Sequence, residues 1–128
     1  MTGTLARLAM RATLTLLLGA PAALPASAQT PAGNGEALWK SRCTSCHAID
    51  ADRVGPRHGG LIGRKAGSVP GFAYSPALKA AGFTWDAARL DQWLQGPGKM
   101  VPGTRMFRTV GDAGERAAII AYLGTLRG

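Results

Sequence analysis

The chain has 128 residues and carries 15 Lys and Arg against 7 Asp and Glu, a formal charge of +8. That length suits one domain. The basic residues are scattered, with Arg64-Lys65 the only adjacent pair. No helix-turn-helix or RNA-binding motif occurs, so the charge points to acidic protein partners and salt-sensitive encounter, and away from nucleic acid.

Residues 1–28 read as a cleaved signal peptide. Arg7 and Arg11 open it, an apolar run from Ala12 to Leu24 follows with Pro21 inside it, and Ala26-Ser27-Ala28 makes a small-residue cleavage site. The run is too short for a membrane-spanning helix, which needs about 20 apolar residues. An uncleaved N-terminal anchor is the other reading. Residues 29–128 are then the exported domain, expected to be soluble and periplasmic. Without Arg7 and Arg11 it keeps 13 basic against 7 acidic residues, a net of +6.

Asn34 is a good helix cap, and a first helix is expected from about 35 to 46. Leu38, Trp39 and Cys43 fall near one face of it. The stretch from Ile49 to Gly71 is rich in Gly, Pro and Arg and reads as loop. A second helix fits 75–82, with Ser75 as cap, Pro76 as its first residue and Gly82 as its stop. A third fits 86–95, with Leu90, Trp93 and Leu94 inward and Gly96-Pro97 ending it. Residues 96–111 read as an extended loop holding Met100 and Met106. The last helix starts at Asp112, where Glu115 three residues on makes a capping-box pattern. Its apolar stripe is Ile119, Tyr122, Leu123 and Leu126. No stretch alternates as a strand does, so the expected architecture is all-α with long loops.

A small, glycine-rich domain needs a staple. The only two cysteines are Cys43 and Cys46, followed at once by His47. Cys-Thr-Ser-Cys-His is the attachment signature of a c-type haem. Thiols one helical turn apart reach two vinyl groups on one haem edge, and the next residue brings an imidazole beneath the iron. A thiol–disulfide pair is an alternative, although no βαβ setting is visible for one. A zinc site using His58 lacks a second cysteine pair, and a plain disulfide fits a secreted protein. For a second axial ligand the candidates are Met100, Met106 and His58.

From this motif onward, residues 34–127 resemble class I cytochrome c of the mitochondrial and related bacterial monohaem type. The resemblance implies a small cytochrome c fold of four to five short helices and long loops around one covalently attached haem c. Cys43 and Cys46 would bind the haem, and His47 and Met106 would hold the iron. Gly55-Pro56 resembles the turn whose proline carbonyl fixes the axial histidine. Gly60–Lys65 resembles the loop whose arginine, here Arg64, lies near a haem propionate. Pro70–Tyr74 and Phe83–Trp85 resemble segments whose tyrosine and tryptophan, Tyr74 and Trp85, reach that propionate. Val101–Met106 resembles the methionine loop, which selects Met106 over Met100 and makes Thr104 a propionate contact. Gly35 with Trp39, and Ile119 with Tyr122, resemble the crossing of first and last helices.

Four positions depart from the family pattern. Trp93 replaces a tyrosine that bonds the ligand sulfur, Leu78 an asparagine, Met100 an aromatic residue, and His58 an apolar residue. The implied function is a non-enzymatic, periplasmic, single-electron carrier, monomeric and not membrane-spanning. It would dock on acidic patches of redox partners through a basic rim of Lys40, Arg42, Lys99 and Arg105. The alternatives are a peroxidase-like haem enzyme with an open iron position and a cytochrome subunit dedicated to one dehydrogenase.

Overall fold

The computed structural model describes residues 31–128; the expected signal peptide lies outside the described residues. Among the described residues there are five helices, in the order α1 (Pro31–Cys43), α2 (Pro76–Ala80), α3 (Ala87–Gln95), α4 (Pro97–Met100) and α5 (Ala113–Thr125). The only strand-like pairing among them is an isolated antiparallel bridge between Lys65 and Thr84. The fold is the expected small all-α one.

Its frame is the crossing of α1 and α5. A Cβ on Gly35 would stand 2.0 Å from the Ala118 carbonyl oxygen and 2.8 Å from Tyr122 Cβ. Only a residue without a side chain lets the two backbones meet there. Next to this contact, Trp39 is buried, with its ring 5.8 Å from that of Tyr122. Ile119 is wholly buried at the centre of the core. Arg42 closes the crossing from outside: its Nη2 donates to both carboxylate oxygens of Glu115, at 2.9 and 2.7 Å.

Helix α3 packs on α5 through Leu90, Trp93 and Leu94. Arg116 of α5 is buried and ties this junction together. It donates to Asp91 Oδ1 at 2.7 Å and to the carbonyls of Val110 and Gly111 at 3.0 and 2.8 Å.

The helix starts follow capping chemistry. Ser75 Oγ, Asp86 Oδ1 and Asp112 Oδ1 accept the backbone N–H groups of Leu78, Arg89 and Glu115. Each satisfies a donor that the first turn leaves without a helical partner. Gly82, at φ +73°, lies two residues beyond α2.

Three expectations need correction. First, α1 begins at Pro31, which leaves Asn34 inside the helix, and it ends at Cys43 instead of 46. Second, Asp112 caps α5, but the Glu115 carboxylate turns to Arg42, so the reciprocal half of the capping box is not made. Third, the stretch read as an extended loop contains α4. Gly96 is extended, and Pro97, whose φ is pre-set for helix, restarts the chain as a helix after it.

Candidate functional site

The loops between α1 and α3, and between α4 and α5, wrap a cavity of about 540 Å³ whose walls are mostly apolar. This volume lies within the roughly 300–1,000 Å³ usual for ligand and cofactor sites. Cys43, Cys46, His47, Pro56, Arg64, Tyr74, Trp85, Thr104 and Met106 all line it.

Local backbone structure sets the cysteine–histidine group. Beyond the end of α1, the N–H groups of Cys46 and His47 both bond to the Cys43 carbonyl, at 3.1 and 2.9 Å. One more turn therefore carries both sulfurs and the imidazole to the cavity wall. Both cysteines are free thiols. Burial, with Cys46 beside it, pushes the Cys43 thiol up to about 11. That opposes the lowered thiol of a reactive redox pair. Among the described residues, no group of three or more His, Cys, Asp or Glu is placed to hold a metal ion, which removes the support for a zinc site.

His47 Nδ1 donates to the Pro56 carbonyl at 2.8 Å. With its proton on Nδ1, the ring keeps its Nε2 lone pair for a metal. Burial lowers the His47 pKa, partly offset by this hydrogen bond, so the ring is held neutral. Gly55 fits closely against it: a Cβ there would stand 2.1 Å from His47 Cε1. Met106 also faces the cavity, and Trp93 Nε1 donates to its Sδ at 3.0 Å. The tryptophan thus makes the sulfur contact for which the family pattern has a tyrosine. Met100 lies elsewhere, on a groove between α3 and α4 shared with Lys99.

The polar wall is assembled by pairing two loops. Gly63 N–H bonds to the Trp85 carbonyl, Trp85 N–H to the Arg64 carbonyl, and Ala66 N–H to the Phe83 carbonyl, each at 2.8 Å. Arg64 and Trp85 are thereby fixed side by side. The Arg64 guanidinium donates to the carbonyls of Arg57, at 2.7 Å, and Gly59. A guanidinium has five N–H donors, so these two bonds leave some for a ligand. The Tyr74 hydroxyl accepts from Val69 N at 3.3 Å, which leaves its proton free to donate, and burial raises its pKa. Trp85 meets Phe83 and Trp93 edge to face, at 4.8 and 5.2 Å between ring centroids.

Further residues line the cavity in ways the sequence did not assign. His58 stacks on His47, with ring centroids 4.0 Å apart and planes 26° apart. It accepts a hydrogen bond at Nδ1 from Trp39 Nε1 at 2.9 Å. Burial beside His47 and Arg64 takes its pKa down to about 3. The sequence offered it as an axial-ligand or zinc-ligand candidate and as a departure from an apolar position; the structure instead stacks it on His47 and bonds it to Trp39. Phe107 and Val54, both exposed, line the cavity, as do Arg105 and Arg108. Of the expected basic rim, Arg42, paired with Glu115, and Arg105 line this cavity, whereas Lys99 stands on the other groove and Lys40, paired with Glu36 at 2.6 Å, lines neither.

A family model described as Cytochrome c matches residues 32–127. The chain is 41% identical over 126 residues to cytochrome c2 of Rhodomicrobium vannielii, covering 93% of this chain and 99% of that protein. It is 44% identical over 93 residues to cytochrome c type-1 of Ascaris suum, covering 70% of this chain and 83% of that protein. Among solved structures, cytochrome cH from Methylobacterium extorquens matches with a TM-score of 0.70 at 46% identity, covering 73% of this chain and 97% of that one. The chain belongs to the cytochrome c family, a class of haem-binding electron-transfer proteins with one covalently attached c-type haem. The cavity suits that group. It is largely apolar and brings two free thiols, a neutral imidazole and a thioether to one space, with Arg64 and Tyr74 as polar donors.

Proposed function

We propose that the chain is an exported, periplasmic, single-electron shuttle, with its haem joined to Cys43 and Cys46 and its iron held by His47 and Met106. The observation that carries this reading is that Met106 shares the cavity with His47 while Met100 does not. The haem iron supplies the change of oxidation state. The protein's part is to hold its ligands still, exclude water and set the polarity around the group. Pro56 orients His47, Trp93 orients the Met106 sulfur, and neither has to move when an electron enters or leaves. Arg64, Tyr74, Trp85 and Thr104 are the proposed partners of the haem carboxylates. If His47 and Met106 both held the iron, no open position would remain for a substrate, which would favour a carrier over a peroxidase.

Docking would use the exposed edge of the cavity at Phe107, where Arg108 lies over the ring at 5.9 Å and Arg105 also lines the cavity. A small apolar contact beside positive charge suits a short-lived complex with an acidic partner. A freely diffusing monomer fits this use.

The test is Met106→Ala beside Met100→Ala. The first variant is expected to lose the far-red methionine–iron absorption band of the oxidised protein, and the second to keep it. The reverse result would transfer the ligand role to Met100. Raising ionic strength is expected to slow reduction by a partner with an acidic docking patch.

A further inference from the structure

We propose that His58 is a positioning residue that sets the ring plane of His47, and that Trp39 holds it in place; this rests on the reading of His47 as an iron ligand. The hydrogen bond from His47 Nδ1 to the Pro56 carbonyl fixes one edge of the ring, at 2.8 Å. That bond and the close backbone of Gly55 hold the ring near Pro56, and the tilt of its plane is limited further by what lies against its face. His58 sets that limit by lying nearly flat against the ring, 4.0 Å away with 26° between the planes. A flat aromatic face selects one orientation of its neighbour, whereas an aliphatic side chain would accept many.

His58 is itself held at two points. Its backbone N–H donates to the Ala48 carbonyl at 2.9 Å, and its Nδ1 accepts from Trp39 Nε1 at 2.9 Å. Trp39 is buried on α1 against Tyr122 of α5. The axial imidazole is therefore connected, through two ring contacts, to the helix crossing that frames the fold. The Trp39–His58 bond is the one side-chain hydrogen bond either residue makes among the described residues, so replacing either removes its partner's bond. Orienting a metal-bound histidine through the groups behind it is a general means of tuning a metal site.

The experiment is proton NMR of the oxidised holoprotein. The spread and order of the haem-methyl resonances report the plane of the axial imidazole in a low-spin ferric haem. His58→Leu is expected to shift that pattern away from wild type while the methionine–iron band persists. His58→Phe, which keeps a flat face but loses the bond from Trp39, is expected to restore most of the pattern, leaving a shift no larger than that of Trp39→Phe. Trp39→Phe is expected to move it in the same direction as His58→Leu, by less, and it carries the test if the leucine variant does not fold. A wild-type pattern in His58→Leu or in Trp39→Phe overturns the proposal, as does a phenylalanine variant shifted as far as the leucine one. Failure of the underlying reading has a separate signature: wild-type protein would show no hyperfine-shifted His47 ring protons, whatever the variants do.

Discussion

At the α1–α5 crossing, side chains meet one another: Trp39 against Tyr122, Ile119 sealed at the centre, Gly35 against a backbone carbonyl. Around the cavity, many side chains meet the space between them. The loops there are held by pairs of backbone bonds and by arginines that satisfy carbonyls, such as Arg64 on Arg57 and Gly59. The crossing is a core complete within the polypeptide. The loop half instead arranges apolar walls around the space that suits the haem, so its packing is expected to involve that group. A short chain with abundant glycine folds this way because a third party supplies part of the packing.

The largest test of this contrast removes the haem. A Cys43→Ala, Cys46→Ala variant is expected to lose protection from amide hydrogen exchange across 47–75 and 101–110, with the α1–α5 contact the last protection to go. Native protection in the loops without haem would break the comparison.

On the other side stands Gly35→Val. Its Cβ would stand 2.0 Å from the Ala118 carbonyl oxygen, a backbone atom that cannot swing aside. The expected loss is about 3 kcal/mol, at the upper end of overpacking costs. It should appear as a lowered denaturant midpoint with an unchanged haem spectrum. Gly98→Ala is the control: nothing lies within 4 Å of its added Cβ, and a change within about 0.5 kcal/mol is expected.

Arg116→Leu tests the joint between the two regions. It would strip Asp91 of its ion pair and the carbonyls of Val110 and Gly111 of a donor. We expect a loss of about 2 kcal/mol, because Asp91 is half exposed and regains water. Since Val110 and Gly111 end the loop that carries Met106, the methionine–iron band should weaken as well. A stability loss with an intact band would place Arg116 wholly in the helical frame.

The helical frame was legible in the sequence because its rules are local. Ser75, Asp86 and Asp112 were readable as starts of helices, and Leu90, Trp93 and Leu94 as one buried face. The haem motif was legible because five consecutive residues carry its chemistry. Where local rules failed, a longer-range partner had intervened. Glu115 left its capping box for Arg42, 73 positions away in the chain. Gly96-Pro97 reads equally as a stop and as a restart. His58 and Trp39 are 19 positions apart, and no local pattern pairs them. Nothing in the sequence singles out Arg116; the packing of α3 and the Val110–Gly111 carbonyls makes it a buried junction.

The smallest expected effects come from two caps of the same geometry but different charge. Ser75 Oγ accepts the Leu78 N–H in a buried setting, and Ser75→Ala should cost about 1 kcal/mol at any pH. Asp86 caps α3 at the surface, and its carboxyl is held below the ordinary range first by the Arg89 backbone N–H and then by the Arg89 charge. A carboxyl with a lowered folded pKa stabilises the protein above its unfolded pKa, and that contribution is lost as pH falls through the folded value. Asparagine caps as well as aspartate but does not titrate there. Asp86→Asn should therefore leave the denaturant midpoint near wild type at neutral pH and flatten its decline in acid relative to wild type. Parallel acid declines for the two proteins would mean that the α3 cap adds no pH dependence to the frame.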